Sequence, residues 1–253
     1  MIKKIFVSGG SQCIAGGFIW DKEKKIYSDK GIIIKHNLDV AYPKILADKL
    51  GVELINEGAP GGSITRMIRK TYEFLFNETN KNEVLIILEV PPGWRDEYYS
   101  TEYKRYFNVT IGNILSPNDT TDVASGNNPN DYKNIYKNVT NHFFNFIDDK
   151  LHLEKMMLNL LGLISYLKLN NIQHIIIDTG DFDTYLTRRK QSRNYNFVWF
   201  SDKFEYPMWQ WINENKLLIK DETNGLSNDE HMGIEGNKQV AEKLYKIIIN
   251  EKD

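Results

Sequence analysis

The chain has 253 residues, of which 41% are hydrophobic, with 32 basic and 34 acidic side chains and a formal net charge of -2. That length suits one α/β domain with a sizeable core, and the balanced charge excludes a general attraction to nucleic acid or anionic membranes. The single cysteine, Cys13, excludes an intramolecular disulfide framework. No secretory apolar region or membrane-spanning run is read near the start. A soluble, cytoplasmic protein is therefore the expectation, with export by another route or association with a particle left open.

Residues 4–7 read as a buried first strand, with Ile5-Phe6-Val7 running into Ser8-Gly9-Gly10-Ser11. Over 38–50, Val40, Ala41, Ile45, Leu46 and Leu50 recur at helical spacing, with Pro43 early and Asp39 as a candidate cap. A second strand follows at 52–55. Ser63 then predicts the N-cap of a helix reaching about Phe76. Residues 83–90 hold the run Val84-Leu85-Ile86-Ile87-Leu88, which suits a central parallel strand covered on both faces.

The stretch 137–169 reads as mostly helical. Its apolar rows are Phe143, Phe144, Phe146 and Ile147, then Met156, Met157, Leu160, Leu161 and Ile164, with a bend expected near Asp148-Asp149. Residues 172–177 predict a fourth strand, 216–219 a short edge strand, and 234–249 a closing helix with Val240, Ala241, Leu244 and Ile248 on one face. Alternating strands and helices give a doubly wound α/β order, which places ligands at the C-terminal ends of its strands. Two stretches exceed a minimal sheet: 17–37, and about 91–131, where a lid or substrate loop is expected.

Five loops on that rim carry candidate chemistry. Gly9 and Gly10 allow a sharp turn that would present the Ser11 hydroxyl. Serine needs an adjacent base to act as a nucleophile; Ser8 and Cys13 are rival nucleophiles, and an ordinary turn serine is the plain reading. Asn56-Glu57-Gly58-Ala59-Pro60-Gly61-Gly62-Ser63 leads into a helix, so Gly61 is either an oxyanion-hole donor or part of an ordinary turn. In the third loop, Arg95 suits a carboxylate clamp or an ion pair, and Trp94, Tyr98 and Tyr99 suit stacking on a sugar. Near the C-terminus His231 can move a proton near neutrality, and Asp229, two residues earlier, can fix its tautomer. Asp178, Asp181 and Asp183 fit a turn or a metal site, and 188–193 is a basic loop read as solvated. The Gly-rich first loop lacks both the Walker ending and the dinucleotide spacing, which disfavours nucleotide binding.

These blocks together resemble the SGNH, or GDSL-like, hydrolase family. The resemblance rests on Phe6-Val7-Ser8-Gly9-Gly10-Ser11, on the segment from Asn56 to Ser63, and on Asp229-Glu230-His231 with Gly236 beyond. It implies a flavodoxin-like three-layer α/β/α sandwich with a mostly parallel central sheet, one domain over 1–253, and a serine ester hydrolase. Carried over, Ser11 is the nucleophile, His231 the general base and then acid, and Asp229 its partner. The amides of Ser11 and Gly61 form the oxyanion hole, with Arg95 as a further donor. The family's Gly-x-Asn is absent, and Pro92-Gly93-Trp94-Arg95 occupies that block. The family's acid lies three residues before the histidine; that position here is Asn228. The expected substrate is a small-molecule ester or acylated glycan, an O-acetylated carbohydrate above all, with Trp94, Arg95, Tyr98 and Tyr99 binding it. No metal, organic cofactor, nucleic acid or membrane partner is expected, and oligomeric state is not legible. The alternative is a non-catalytic carbohydrate-binding or structural module on a degenerate version of the same fold.

Overall fold

The computed structural model describes residues 1–15, 38–59, 61–91, 95–101, 104–110, 138, 142, 149–179, 197–198, 208–218 and 231–249. Among them five parallel strands form one sheet: β1 (Lys4–Gly9), β2 (Glu53–Gly58), β3 (Val84–Val90), β6 (Gln173–Asp178) and β7 (Phe197–Val198). Their spatial order is β2-β1-β3-β6-β7. This is the flavodoxin-type doubly wound order, in which the sheet reverses its direction of winding between β1 and β3. The register pairs Ile5 with Leu54 on one side and with Leu85 on the other.

Alternation along the strands feeds two cores. Ile5, Val7, Leu85, Ile87, Ile175 and Ile177 face one layer. There they meet α1 (Tyr42–Leu50), α4 (Met208–Glu214) and α5 (Ile234–Ile249) through residues such as Leu46, Ile212 and Leu244. Phe6, Ile86, Leu88 and Ile176 face the other, against α2 (Ile64–Asn77) and α3 (Asp149–Leu169). The result is a three-layer α/β/α sandwich with a parallel central sheet. β3 is buried along its whole length, as its unbroken apolar run predicts.

The helix ends follow their local chemistry. Ser63 caps α2 by accepting from the Arg66 amide at 3.1 Å. At α1 the cap is Ala41, not Asp39: Asp39 lies in the short helical turn before it, and Pro43 sits in the first turn, where no amide hydrogen is needed. The expected bend near Asp148, and Phe143, Phe144, Phe146 and Ile147, lie outside the described residues or side chains.

One expectation changes. Of the stretch 216–219, the described residues 216–218 do not join the sheet; Leu218 makes an isolated antiparallel bridge to Met232, and β7 takes the edge beyond β6. Within the stretch of about 91–131 the described residues include an antiparallel hairpin, β4 (Arg95–Ser100) with β5 (Arg105–Thr110). The hairpin is fixed to α2 by a fork of hydrogen bonds from Arg69 to Glu97, both 2.8 Å. Among the described residues no helix is long and apolar enough to cross a membrane.

Candidate active site

β1 ends at Gly9, and the chain turns through Gly10 into Ser11 and a 3-10 turn over Gln12–Ile14. That turn is closed by Ala15 in the left-handed region, with φ of 48°. His231 stands at the entrance to α5, whose apolar face anchors it in the sandwich. The two half-buried side chains meet: Ser11 Oγ lies 2.7 Å from His231 Nε2, across 220 residues of sequence. That is proton-transfer distance for a hydroxyl and an imidazole. Asp229 lies outside the described residues.

The rivals of Ser11 are badly placed for nucleophilic work. Ser8 is fully buried inside β1, with Oγ facing the Met67 carbonyl at 3.5 Å. Cys13 is fully buried as well, and burial, reinforced by nearby Glu89, pushes its thiol well above the ordinary range. Neither supplies an exposed nucleophile.

The loop after β2 packs directly on the Ser11 turn. The Ala59 amide donates to the Gly9 carbonyl at 3.3 Å. A Cβ on Gly62 would sit 2.5 Å from that same oxygen, so only glycine permits the approach. Gly61 itself has φ of 63°, the left-handed conformation that glycine adopts without strain. Among the described residues, neither the Ser11 amide nor the Gly61 amide is bonded to a protein acceptor.

The third loop contributes Arg95 at the start of β4. Its Nη1 lies 3.8 Å from the position a Gly10 Cβ would take, so a guanidinium borders the nucleophile turn. Tyr98 and Tyr99 are on the hairpin. Tyr98 is half-buried, and burial, with Asp96 close by, pushes its phenol upward. Tyr99 is 51% exposed and packs edge-to-face with Tyr106, ring centroids 5.1 Å apart. Trp94 lies outside the described residues.

Several residues that organise this site have no motif of their own. Gln12 Oε1 accepts from the Met232 amide at 3.1 Å, a second link between the chain's two ends. Asn237 Oδ1 accepts from the Tyr42 amide at 2.9 Å, while its Nδ2 donates to the carbonyls of Met232 and Gly233. Asn56 Nδ2 donates to the Cys13 carbonyl at 2.7 Å and so braces the 3-10 turn. Glu89, buried at the end of β3, accepts from Gly10 N–H at 3.2 Å and from the Tyr42 hydroxyl at 3.0 Å. Burial raises its carboxyl, against the opposing pull of these donors. One signal was available: Asn237 falls on the same helical row as Val240, Ala241 and Leu244, where an apolar residue would be usual.

His174 sits inside β6, as its sequence context predicts, with Nδ1 2.8 Å from the Ile172 carbonyl. Asp178 ends that strand in a buried position, whereas Asp181, Asp183 and the basic stretch 188–193 lie outside the described residues. Among the described residues no group of three potential metal ligands gathers.

No family model matches the chain, and no curated protein matches it. Among solved structures it is similar to a psychrotrophic esterase from Pseudoalteromonas at 11% identity and a TM-score of 0.49, with 98% of this chain and 97% of that one covered. A member of the lipolytic G-D-S-L family from Veillonella parvula is similar at 12% identity and a TM-score of 0.46, with 98% of each chain covered. So is a family two carbohydrate esterase from Clostridium thermocellum, at 14% identity and a TM-score of 0.45; 98% of this chain covers 64% of that one.

Proposed function

We propose that this protein is a serine-dependent ester hydrolase acting on a small acyl ester, with O-acetyl groups of a carbohydrate as the preferred class. The observation that carries this reading is the 2.7 Å approach of Ser11 Oγ to His231 Nε2 at the C-terminal rim of the sheet. With the ring proton on Nδ1, Nε2 accepts the Ser11 hydroxyl proton as Oγ bonds to the ester carbonyl carbon. The negative charge passes to the carbonyl oxygen, where the amides of Ser11 and Gly61 are assigned as donors. Each such donor is worth roughly 3–4 kcal/mol in the transition state.

Collapse of the tetrahedral intermediate breaks the bond to the alcohol, which leaves with the proton held on Nε2. Water then gives a proton to Nε2 and attacks the acyl carbon, releasing the acid and restoring Ser11. Asp229 is assigned to the other ring nitrogen, where a carboxylate favours the imidazolium formed during attack. Arg95, beside Gly10, is assigned to the oxyanion or to a polar group of the substrate. The sugar assignment rests on Trp94, Tyr98 and Tyr99, of which Tyr99 offers half its surface to solvent.

A fluorophosphonate probe tests the reading. Ser11 should be labelled, and labelling should vanish in Ser11→Ala and fall by about a hundredfold or more in His231→Ala. Acetate release from an acetylated oligosaccharide should show the same pattern. The rival reading, a non-catalytic carbohydrate-binding module, is favoured by Arg95 in a block without Gly-x-Asn. It would be supported by glycan binding with no labelling of Ser11.

A further inference from the structure

Among the buried acids that the proposed chemistry leaves without a part, one lies against the nucleophile turn. Glu89 is 0% exposed at the C-terminal end of β3, the strand beside β1. Its Oε1 accepts from the amide of Gly10, the residue immediately before Ser11, at 3.2 Å. Its Oε2 accepts from the Tyr42 hydroxyl at 3.0 Å. Cys13, two residues past Ser11, lies close enough for its thiol and amide to act on this carboxyl, and its Sγ is 3.8 Å from the same Tyr42 hydroxyl. One carboxyl therefore binds the residue before the nucleophile and packs beside the residue two places after it.

The same group is tied to the histidine end. Tyr42, which holds Oε2 through its hydroxyl, donates its amide to Asn237 Oδ1 at 2.9 Å. Asn237 in turn donates to the carbonyls of Met232 and Gly233, directly after His231, at 3.3 and 3.0 Å. A continuous buried path runs Gly10, Glu89, Tyr42, Asn237, Met232. It closes a ring with the direct contact of Ser11 and His231. Burying a carboxyl is costly, and apolar residues of similar volume commonly serve stability as well or better. What a fully hydrogen-bonded carboxyl adds is fixed direction at each donor.

We propose that Glu89 is a positioning residue for Ser11: it clamps the turn from Gly10 to Cys13 so that the hydroxyl stays aimed at His231, with Tyr42 and Asn237 as the strut to the opposite loop. This rests on reading Ser11 and His231 as the reacting pair. Glu89 touches no reacting atom, so it acts through the turn and not on substrate. Among the described residues, the charged and titratable groups around it are Cys13 from the 3-10 turn, Tyr42 from α1, and Arg95 from β4, whose Nη1 borders Gly10.

The test compares wild type, Glu89→Gln and Tyr42→Phe by three readouts. The first is thermal stability. The second is kcat and KM with p-nitrophenyl acetate. The third is the 15N shift of His231 Nε2, measured with Ser11 present and in a Ser11→Ala background, so that the difference reports the contact of the two side chains. Displacement of the hydroxyl should lower kcat at least tenfold in Glu89→Gln with KM within about twofold, because misplacement near 1 Å can cost about a hundredfold. The Ser11-dependent shift of Nε2 should collapse in the same variant. Tyr42→Phe, which keeps the carboxyl, should show both effects to a smaller degree, and it carries the test where Glu89→Gln does not fold. A folded Glu89→Gln or Tyr42→Phe with an intact Ser11-dependent shift and unchanged kcat overturns the proposal. So does a loss of thermal stability alone with both other readouts intact. The shift is independent of turnover: a Glu89-dependent shift in a wild type that hydrolyses no ester would uphold the clamp while removing the hydrolase reading.

Discussion

Gln12 and Met232 are bound side by side with the Ser11–His231 contact: the Met232 amide donates to Gln12 Oε1 at 3.1 Å, one residue along from both Ser11 and His231. The two loops are therefore joined twice, in register. A single contact between half-buried side chains can swing about one bond, whereas two adjacent contacts fix the relative orientation of the loops.

Removing the second contact tests that idea. Gln12→Ala deletes the partly buried hydrogen bond to the Met232 amide, a loss of about 1 kcal/mol, and so should slow Ser11 labelling by about fivefold. Gln12→Glu keeps an acceptor and should label at nearly the wild-type rate. Second-order labelling constants for the three proteins check this; equal constants in wild type and Gln12→Ala would show that the Met232 contact does not orient the base.

Asn237 makes a harsher prediction. Its side chain serves three backbone groups in the interior: the Tyr42 amide and the carbonyls of Met232 and Gly233. Asn237→Leu fits the apolar row of α5 yet removes the side-chain partner of the Tyr42 amide and the Met232 carbonyl, while the Gly233 carbonyl keeps the backbone amide of residue 237 at 3.1 Å. Each unsatisfied buried group costs about 1–3 kcal/mol, so a loss of at least about 2 kcal/mol is expected. Urea denaturation gives the value directly. A neutral or stabilised Asn237→Leu would mean that water replaces the amide there.

What could be read from the chain beforehand follows from how far each interaction reaches. β3 and α5 were legible because burial on both faces, or on one helical stripe, writes itself into consecutive residues such as Val84 to Leu88, or Val240, Ala241 and Leu244. The meeting of Ser11 with His231 was legible because doubly wound topology carries both to one rim. Gln12, Asn237 and Glu89 were not, since each is defined by a partner 220, 195 or 79 residues away. The hairpin was missed for a different reason. Arg95-Asp96-Glu97-Tyr98-Tyr99-Ser100 has no alternating apolar face, and its second strand is reached only after a turn. Its place is set from outside, by α2.

That external anchor is testable. Arg69 grips Glu97 with Nε and Nη2, both at 2.8 Å, donates Nη1 to Glu73 at 2.6 Å, and lies 3.9 Å from the Tyr106 ring centroid. The Glu97 side chain is only 3% exposed. Arg69→Ala would strand this buried carboxylate, and breaking such a pair costs about 3–5 kcal/mol. Arg69→Lys keeps the charge but loses the planar fork, so it should recover less than half of that loss. Thermal denaturation supplies the ranking, and limited proteolysis near the turn between β4 and β5 should speed up in Arg69→Ala. Cleavage at the wild-type rate would show that the hairpin holds its place without Arg69.

His174 predicts a pH dependence of stability with a definite sign. Burial in β6 is the main cause that holds its imidazole below the ordinary 6.5, and Lys168 nearby acts the same way. Its Nδ1, 2.8 Å from the Ile172 carbonyl, fits a neutral ring that donates there. A folded value below the unfolded one means that the unfolded chain binds the proton more readily. The neutral histidine's contribution is therefore complete above about 6.5 and is lost as pH falls through the lower folded value. Urea midpoints measured from pH 7.5 to 5 should decline in wild type, and His174→Gln, which has no proton to take up, should decline less over that range. Parallel profiles for the two proteins would show that the imidazole titrates alike in both states, and the burial of β6 at this position would then have no electrostatic consequence.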